Sequence, residues 1–165
     1  MAAKKLTCKG RVTKLTLVAL VLVVFIAAAA MMAVDPGAAA ASLGLAGTLR
    51  RRGHTREAVN LLADTLSRDP SNLDALAAMG RTLLEDGRTQ QALEAFDRLL
   101  AYDYANVKAL FLAAVVRARM RRFREAVHCW ERVVALAPGS PIAERAREHA
   151  QTALDLEQLF PSEEG

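Results

Sequence analysis

The sequence predicts an all-α protein: an α-solenoid of three helix pairs plus a C-terminal capping helix, preceded by one N-terminal transmembrane helix. Three observations carry this. A common skeleton recurs every thirty-four positions, as Ala58, Ala92 and Ala126, as the large apolar Leu62, Phe96 and Trp130, and as Pro70, Tyr104 and Pro138. Each copy contains two amphipathic stretches joined by a tight turn, clearest in residues 73–106, where Asp86-Gly87 makes the bend. One such unit cannot bury its apolar face alone, so a period of this size marks a stacked helical array. The third observation is residues 15–34, LTLVALVLVVFIAAAAMMAV, which carry no charge.

At about 1.5 Å per residue, these twenty residues span the roughly 30 Å of a bilayer's hydrocarbon core. A cleavable signal has a shorter apolar region of about 7–15 residues, which favours a retained signal-anchor. Ala28-Ala29-Ala30 supplies the opposing reading, an A-x-A cleavage pattern. Residues 1–14 form a basic flank with Lys4, Lys5, Lys9, Arg11 and Lys14 and no acid, while Asp35 follows the span. The positive-inside rule then places the N-terminus in the cytoplasm. The expected location is the inner (cytoplasmic) membrane, single-pass, with the repeat domain extracytoplasmic, and periplasmic in a Gram-negative cell.

The basic flank also explains the formal net charge of +4. Setting aside its five cations leaves seventeen basic against eighteen acidic residues, so the charge gives no support for a nucleic-acid partner. The two cysteines, Cys8 and Cys129, fall on opposite sides of the expected span and make no disulfide framework. Asp35-Pro36-Gly37 is expected to break the helix and, over residues 35–38, to form a hinge.

Three units follow without gaps: residues 39–72, 73–106 and 107–140. In the first, an Ala-rich helix is expected to end near Arg52-Gly53, with glycine in the left-handed position and Thr55 capping the second helix. Gly87 and Thr89 repeat this arrangement, and Arg121-Arg122 replaces the glycine turn in the third unit. Small residues at Ala46, Gly80 and Ala114, and at Ala58, Ala92 and Ala126, allow paired helices to approach closely. Leu49, Leu83, Leu62, Phe96, Trp130 and Phe123 fill the spaces between layers. Residues 141–160 read as a capping helix started by Pro141 and capped by Ser140, with Ile142, Ala146, Ala150, Ala153 and Leu154 as its apolar stripe. Residues 161–165 read as a frayed tail.

This pattern resembles the tetratricopeptide repeat family, in its membrane-anchored bacterial type. The second unit matches best, through Leu76, Met79-Gly80, Ala92 and Phe96. Departures are the missing Trp and Tyr of the first helices, Ser42 at the first large position, and Tyr104 where proline is usual. The resemblance implies a right-handed superhelix whose first helices line a concave, ligand-bearing face. By position that face takes Leu43, Gly47, Arg50, Asp74, Ala77, Ala78, Arg81, Leu84, Lys108, Phe111, Leu112, Val115 and Arg119. Arg81, Lys108 and Arg119 are placed to meet acidic groups, while Phe111 and Val115 are expected to be exposed apolar contacts. The Lys/Asn set with which some relatives clamp a terminal carboxylate is missing.

A basic edge is also expected, from Arg50-Arg51-Arg52, Arg88, Arg121, Arg122 and Arg124 at the turns. Complementing helix C-terminal dipoles on a solvated face accounts for these charges better than an acidic protein partner does. His54, His128 and His149 have no second histidine or cysteine at i+3 or i+4, and Cys129 beside Trp130 reads as a packed thiol. No phosphate loop, carboxylate dyad or activated nucleophile is readable, so neither an enzyme nor a cofactor, metal or small-molecule substrate is expected.

The expected function is that of a membrane-anchored adaptor or assembly factor binding a peptide or helix of a partner protein. Short extracytoplasmic tetratricopeptide domains on one anchor are also similar to accessory subunits of c-type cytochrome maturation, which hold apocytochrome for haem attachment. A cell-envelope or secretion scaffold is the third reading on the same fold.

Overall fold

A computed structural model describes residues 36–159, which form seven α-helices. These are α1 (Pro36–Arg51), α2 (Thr55–Arg68), α3 (Leu73–Glu85), α4 (Thr89–Tyr102), α5 (Val107–Arg119), α6 (Phe123–Leu136) and α7 (Pro141–Leu159). The basic flank, the apolar segment 15–34 and the tail 161–165 lie outside the described residues. Among the described residues no helix is long and apolar enough to cross a membrane. The expected hinge is partly corrected. Pro36 begins α1, because its fixed φ suits the first helical position, so residues 36–38 are its first turn.

Each helix packs on its neighbours in sequence, and the odd-numbered helices also touch one another. The array is therefore two-layered, with α1, α3, α5 and α7 on one side and α2, α4 and α6 on the other. Its interior is a chain of apolar clusters, each shared between successive units, as stacked repeats require. Ala58, Ala92 and Ala126 are completely buried, and so are Leu62 and Phe96. At Gly80 the Phe96 ring leaves room for no more than a hydrogen.

The turns repeat one hydrogen-bond pattern. After α1, the His54 amide donates to the Leu49 carbonyl and the Gly53 amide to that of Arg50. Arg88 and Gly87 repeat this with Leu83 and Leu84, and Arg122 and Arg121 with Arg117 and Ala118. These are Schellman endings, whose pivot residue takes a positive φ. Gly53 (82°) and Gly87 (77°) adopt it freely, and Arg121 (62°) adopts it with a side chain attached. The same geometry overturns the expected cap at Thr55. The residue after the pivot (His54, Arg88 or Arg122) already holds the N-cap position, so Thr55 and Thr89 lie inside their helices. The Thr55 hydroxyl instead donates to Asp86 of the next turn, 3.0 Å away.

The other set of turns is built differently. Asn72 and Asn106 each accept the third amide of the following helix on Oδ1 at 3.0 Å. Each also donates from its amide group to Asp69 or Asp103 three residues earlier. Two hydrogen bonds from Ser71 together with the one from Asn72 hold the Asp69 carboxyl below its usual range, the Ser71 hydroxyl contributing most. Ser140 replaces asparagine in the third copy, as expected, accepting from the Ala143 amide at 3.3 Å.

Ser42, the departure at the first large position, finds a polar partner. Its hydroxyl lies 3.0 Å from that of Thr65, and Thr65 also donates to the Leu61 carbonyl. One repeat on, the equivalent residues are Leu76 and Leu99; two repeats on, Leu110 and Val133. The first unit thus carries a satisfied polar pair where the others are apolar.

The last helix departs most from expectation. Its buried residues are Ala143, Ala146 and Ala153, while Leu154 is exposed. Besides packing on α6, α7 contacts α5, as α5 contacts α3. It occupies the place of a fourth inner helix.

Candidate functional site

The inner wall is composed of α1, α3, α5 and α7 in register. Residues thirty-four apart take equivalent positions on successive helices, so Gly47, Arg81, Val115 and His149 form one row. Arg50, Leu84, Ala118 and Thr152 form the next. Two clefts open along this wall.

The first, of about 240 Å³, lies between α1 and α3. Leu43, Gly47, Arg50, Asp74, Ala78 and Arg81 line it. Arg50 forms an ion pair with Glu85 across the two helices, and Arg81 and Asp74 face solvent. The second cleft, of about 270 Å³, lies between α5 and α7 and is lined by Val115, Ala118, Arg119, Phe123, Trp130, His149, Thr152, Ala153 and Leu156. Arg119 is fixed at its rim. One guanidinium nitrogen donates to the Leu84 carbonyl at 3.3 Å, at the C-terminal end of α3, where the helix dipole favours a cation.

The expected groove residues therefore divide. Leu43, Gly47, Arg50, Asp74, Ala78 and Arg81 come together in the first cleft, and Val115 and Arg119 in the second. Lys108 is exposed at the start of α5, whereas Ala77 and Leu112 lie half-buried against the core between the clefts. Two residues are corrected. Leu84 is buried, because α3 has an inner helix on either side of it, α1 and α5. Phe111, expected to be exposed, retains only 6 % of its surface because α7 covers it. His149 and Phe111 meet in a T-shaped contact at a centroid distance of 5.6 Å, and the Arg145 guanidinium lies over the Phe111 ring at 5.2 Å.

His149, Thr152 and Leu156 are the groove residues missed in the sequence. The imidazole of His149 stacks on Trp130 at 5.4 Å and an interplanar angle of 19°. A signal was available: His149 and Thr152 stand thirty-four residues after Val115 and Ala118, so the period continues past the third unit.

A half-buried arginine and a buried thiol lie behind the wall. Arg117 projects between α4 and α6, paired with Asp97 at 2.8 Å and with Glu125 at 3.4 Å. Burial opposes its charge, but Asp97 and Glu125 outweigh that and raise its pKa above the ordinary value. Burial pushes the Cys129 thiol up, against the pull of Arg117 and Arg132, which suits a packed thiol more than a nucleophile. Among the described residues no group of three His, Cys, Asp or Glu side chains is arranged to hold a metal. Several arginines of the expected basic edge are neutralised within the chain, Arg122 by Glu125 and Arg124 by Glu157, each at 2.5 Å.

Comparison with known proteins bears on the fold. The tetratricopeptide repeat family model matches residues 49–110. No curated protein matches the chain in sequence. The first tetratricopeptide domain of human RPAP3 is 18% identical with a TM-score of 0.69, over 76% of this chain and 99% of that one. PcrH (from Pseudomonas aeruginosa), solved in complex with the chaperone binding region of PopD, is 16% identical with a TM-score of 0.70, over 76% and 97%. The first repeat domain of Spaghetti (RPAP3), bound to the HSP90 peptide SRMEEVD, is 20% identical with a TM-score of 0.66, over 73% and 97%. Residues 49–110 thus match the tetratricopeptide repeat family, and with its thirty-four-residue period and paired helices the described chain has the fold of these repeat domains.

Proposed function

We infer that the protein is a membrane-anchored adaptor or assembly factor whose inner wall holds a peptide segment of a partner protein. The observation that carries this is the continuous wall of four inner helices with two open clefts and a positive excess. Arg50, Arg81, Lys108 and Arg119 stand there against Asp74 and Glu85, in a chain whose remaining charge is close to balanced outside the basic flank. Cations on a concave surface attract acidic partners and orient them. PcrH and the Spaghetti domain, of the same fold, were each solved with a peptide segment of another protein, which supports a peptide ligand here. The apolar segment 15–34 supports attachment to the inner membrane, and its basic flank supports an extracytoplasmic repeat domain.

The test is capture of a partner by the full chain in mild detergent, beside an Arg81→Glu/Lys108→Glu variant. Both residues are exposed, so the variant is expected to fold and to lose capture at least tenfold. Equal capture by the two proteins would remove the inner wall as the binding surface. The identity of the captured protein separates c-type cytochrome maturation from envelope scaffolding. A reporter fused after Gly165 that is active only in the cytoplasm would overturn the topology.

A further inference from the structure

The two clefts have different chemistry. The cleft between α1 and α3 is mixed, with Arg50, Asp74 and the exposed Arg81 set among Leu43, Ala46 and Ala78. The cleft between α5 and α7 has apolar walls from Val115, Ala118, Phe123, Trp130, Ala153 and Leu156. At about 270 Å³ it falls just under the range of cofactor or drug sites, roughly 300–1,000 Å³, and suits a side chain better than a whole ligand. Apolar, aromatic-lined clefts become the buried centre of an interface when a partner closes over them, and there a single bulky residue supplies much of the binding energy.

We propose that the cleft between α5 and α7 seats one bulky apolar side chain of the bound peptide, while the cleft between α1 and α3 takes an acidic residue of the same peptide at Arg81. The proposal rests on the peptide-binding reading of the inner wall and adds the chemistry and spacing of the ligand. The clefts lie two inner-helix spacings apart. Packed helices stand about 8–10 Å from each other, so the two seats are about 16–20 Å apart. An extended peptide advances about 3.3 Å per residue, which puts the apolar and acidic residues about five to six positions apart. Arg119, at the rim of the apolar cleft, has further guanidinium donors beyond the one given to Leu84 and faces the peptide backbone or a second carboxylate.

The protein supplies its own reporter, because Trp130 is its one tryptophan and lies in the wall of the apolar cleft. The probes are fluorescein-free decapeptides on a Ser/Gln background with one Phe and one Glu, their separation varied from two to eight positions, titrated into the full chain in detergent. Expected is a shift in Trp130 emission, with affinity highest at a separation of five or six and at least tenfold weaker when the Phe is replaced by Ser. Thr152→Phe, at an exposed position on the cleft wall, is expected to abolish the emission shift while circular dichroism stays unchanged. If peptides bind with no dependence on the Phe or on separation, and Trp130 emission stays constant, the two-seat proposal is overturned and the peptide-binding reading stands. If no peptide in the set binds and partner capture is insensitive to Arg81→Glu/Lys108→Glu, both fall.

Discussion

The Phe96 ring occupies the space a side chain at position 80 would need. A Cβ built on Gly80 would stand 2.7 Å from two carbons of that ring, well inside contact distance. Phe96 is completely buried, so the ring has nowhere to retreat. Two effects of a Gly80→Ala change compete. Alanine gains about 1 kcal/mol over glycine in a helix interior. Overpacking a filled core costs typically 1–3 kcal/mol. Because the clash is with a ring held on all sides, overpacking wins. Gly80→Ala is expected to lower stability by about 1–2 kcal/mol in urea unfolding, although most exposed helical glycines respond in the opposite sense.

Arg121 offers the reverse case. It is the pivot of the third Schellman turn with φ 62°, where the first two turns use glycine. A left-handed residue with a Cβ costs roughly 1–2 kcal/mol, and glycine's greater unfolded-state freedom takes back part of that gain. Arg121→Gly is expected to stabilise the protein by about 0.5–1 kcal/mol, seen as a higher midpoint in urea with an unchanged slope. A lower midpoint would mean that the contacts of the arginine side chain outweigh its backbone strain.

Phe111 separates stability from binding. It lies beneath α7, in edge contact with His149 and under Arg145, instead of in the groove. Truncating a buried phenylalanine costs about 3–5 kcal/mol. Phe111→Ala is expected to lower the melting temperature substantially, and to weaken peptide binding only in step with the fraction unfolded. Arg81→Ala is expected to do the opposite, leaving the melting temperature within about one degree of the parent. If folded Phe111→Ala protein binds poorly, the ring has a role in the groove that its burial does not suggest.

The sequence disclosed what its period carries. Ala58, Ala92 and Ala126, or Gly53 and Gly87, are places where sterics admit few residue types, so the copies stay alike. The polar face of α7 (Glu144, Arg145, Arg147 and Glu148) reads as a terminal cap because polarity reports solvent and not partners. Its register against α5 becomes visible only when His149 is set against Val115. The Thr55 cap failed for a related reason. Propensity favours threonine at a helix start, but the Schellman geometry of the preceding turn had already assigned the position to His54. The burial of Phe111 shows only when the period is carried one helix further, to α7, which covers the ring.

Arg117 is the position where the period and the chemistry disagree most, since Leu49 and Leu83 hold the equivalent places. Its side chain keeps 15% of its exposure, and one guanidinium nitrogen is buried with no partner. The flanking carboxylates raise its pKa, so the charge cannot be shed at any ordinary pH. A half-buried pair of this kind is weak evidence for stability, because desolvation offsets most of the attraction, whereas removing only one partner strands the other. Asp97 and Glu125 each remain 47% exposed and hydrate readily without the arginine, and Glu125 also keeps Arg122. Arg117→Leu restores the residue of the other repeats and is expected to leave stability unchanged or raise it by up to about 1 kcal/mol. Asp97→Ala leaves the arginine with its weaker partner and is expected to cost about 1–2 kcal/mol. Parallel thermal melts of the two variants test this. Should Arg117→Leu prove the more damaging, the bridge from α5 to α4 and α6 contributes more than its desolvation takes away.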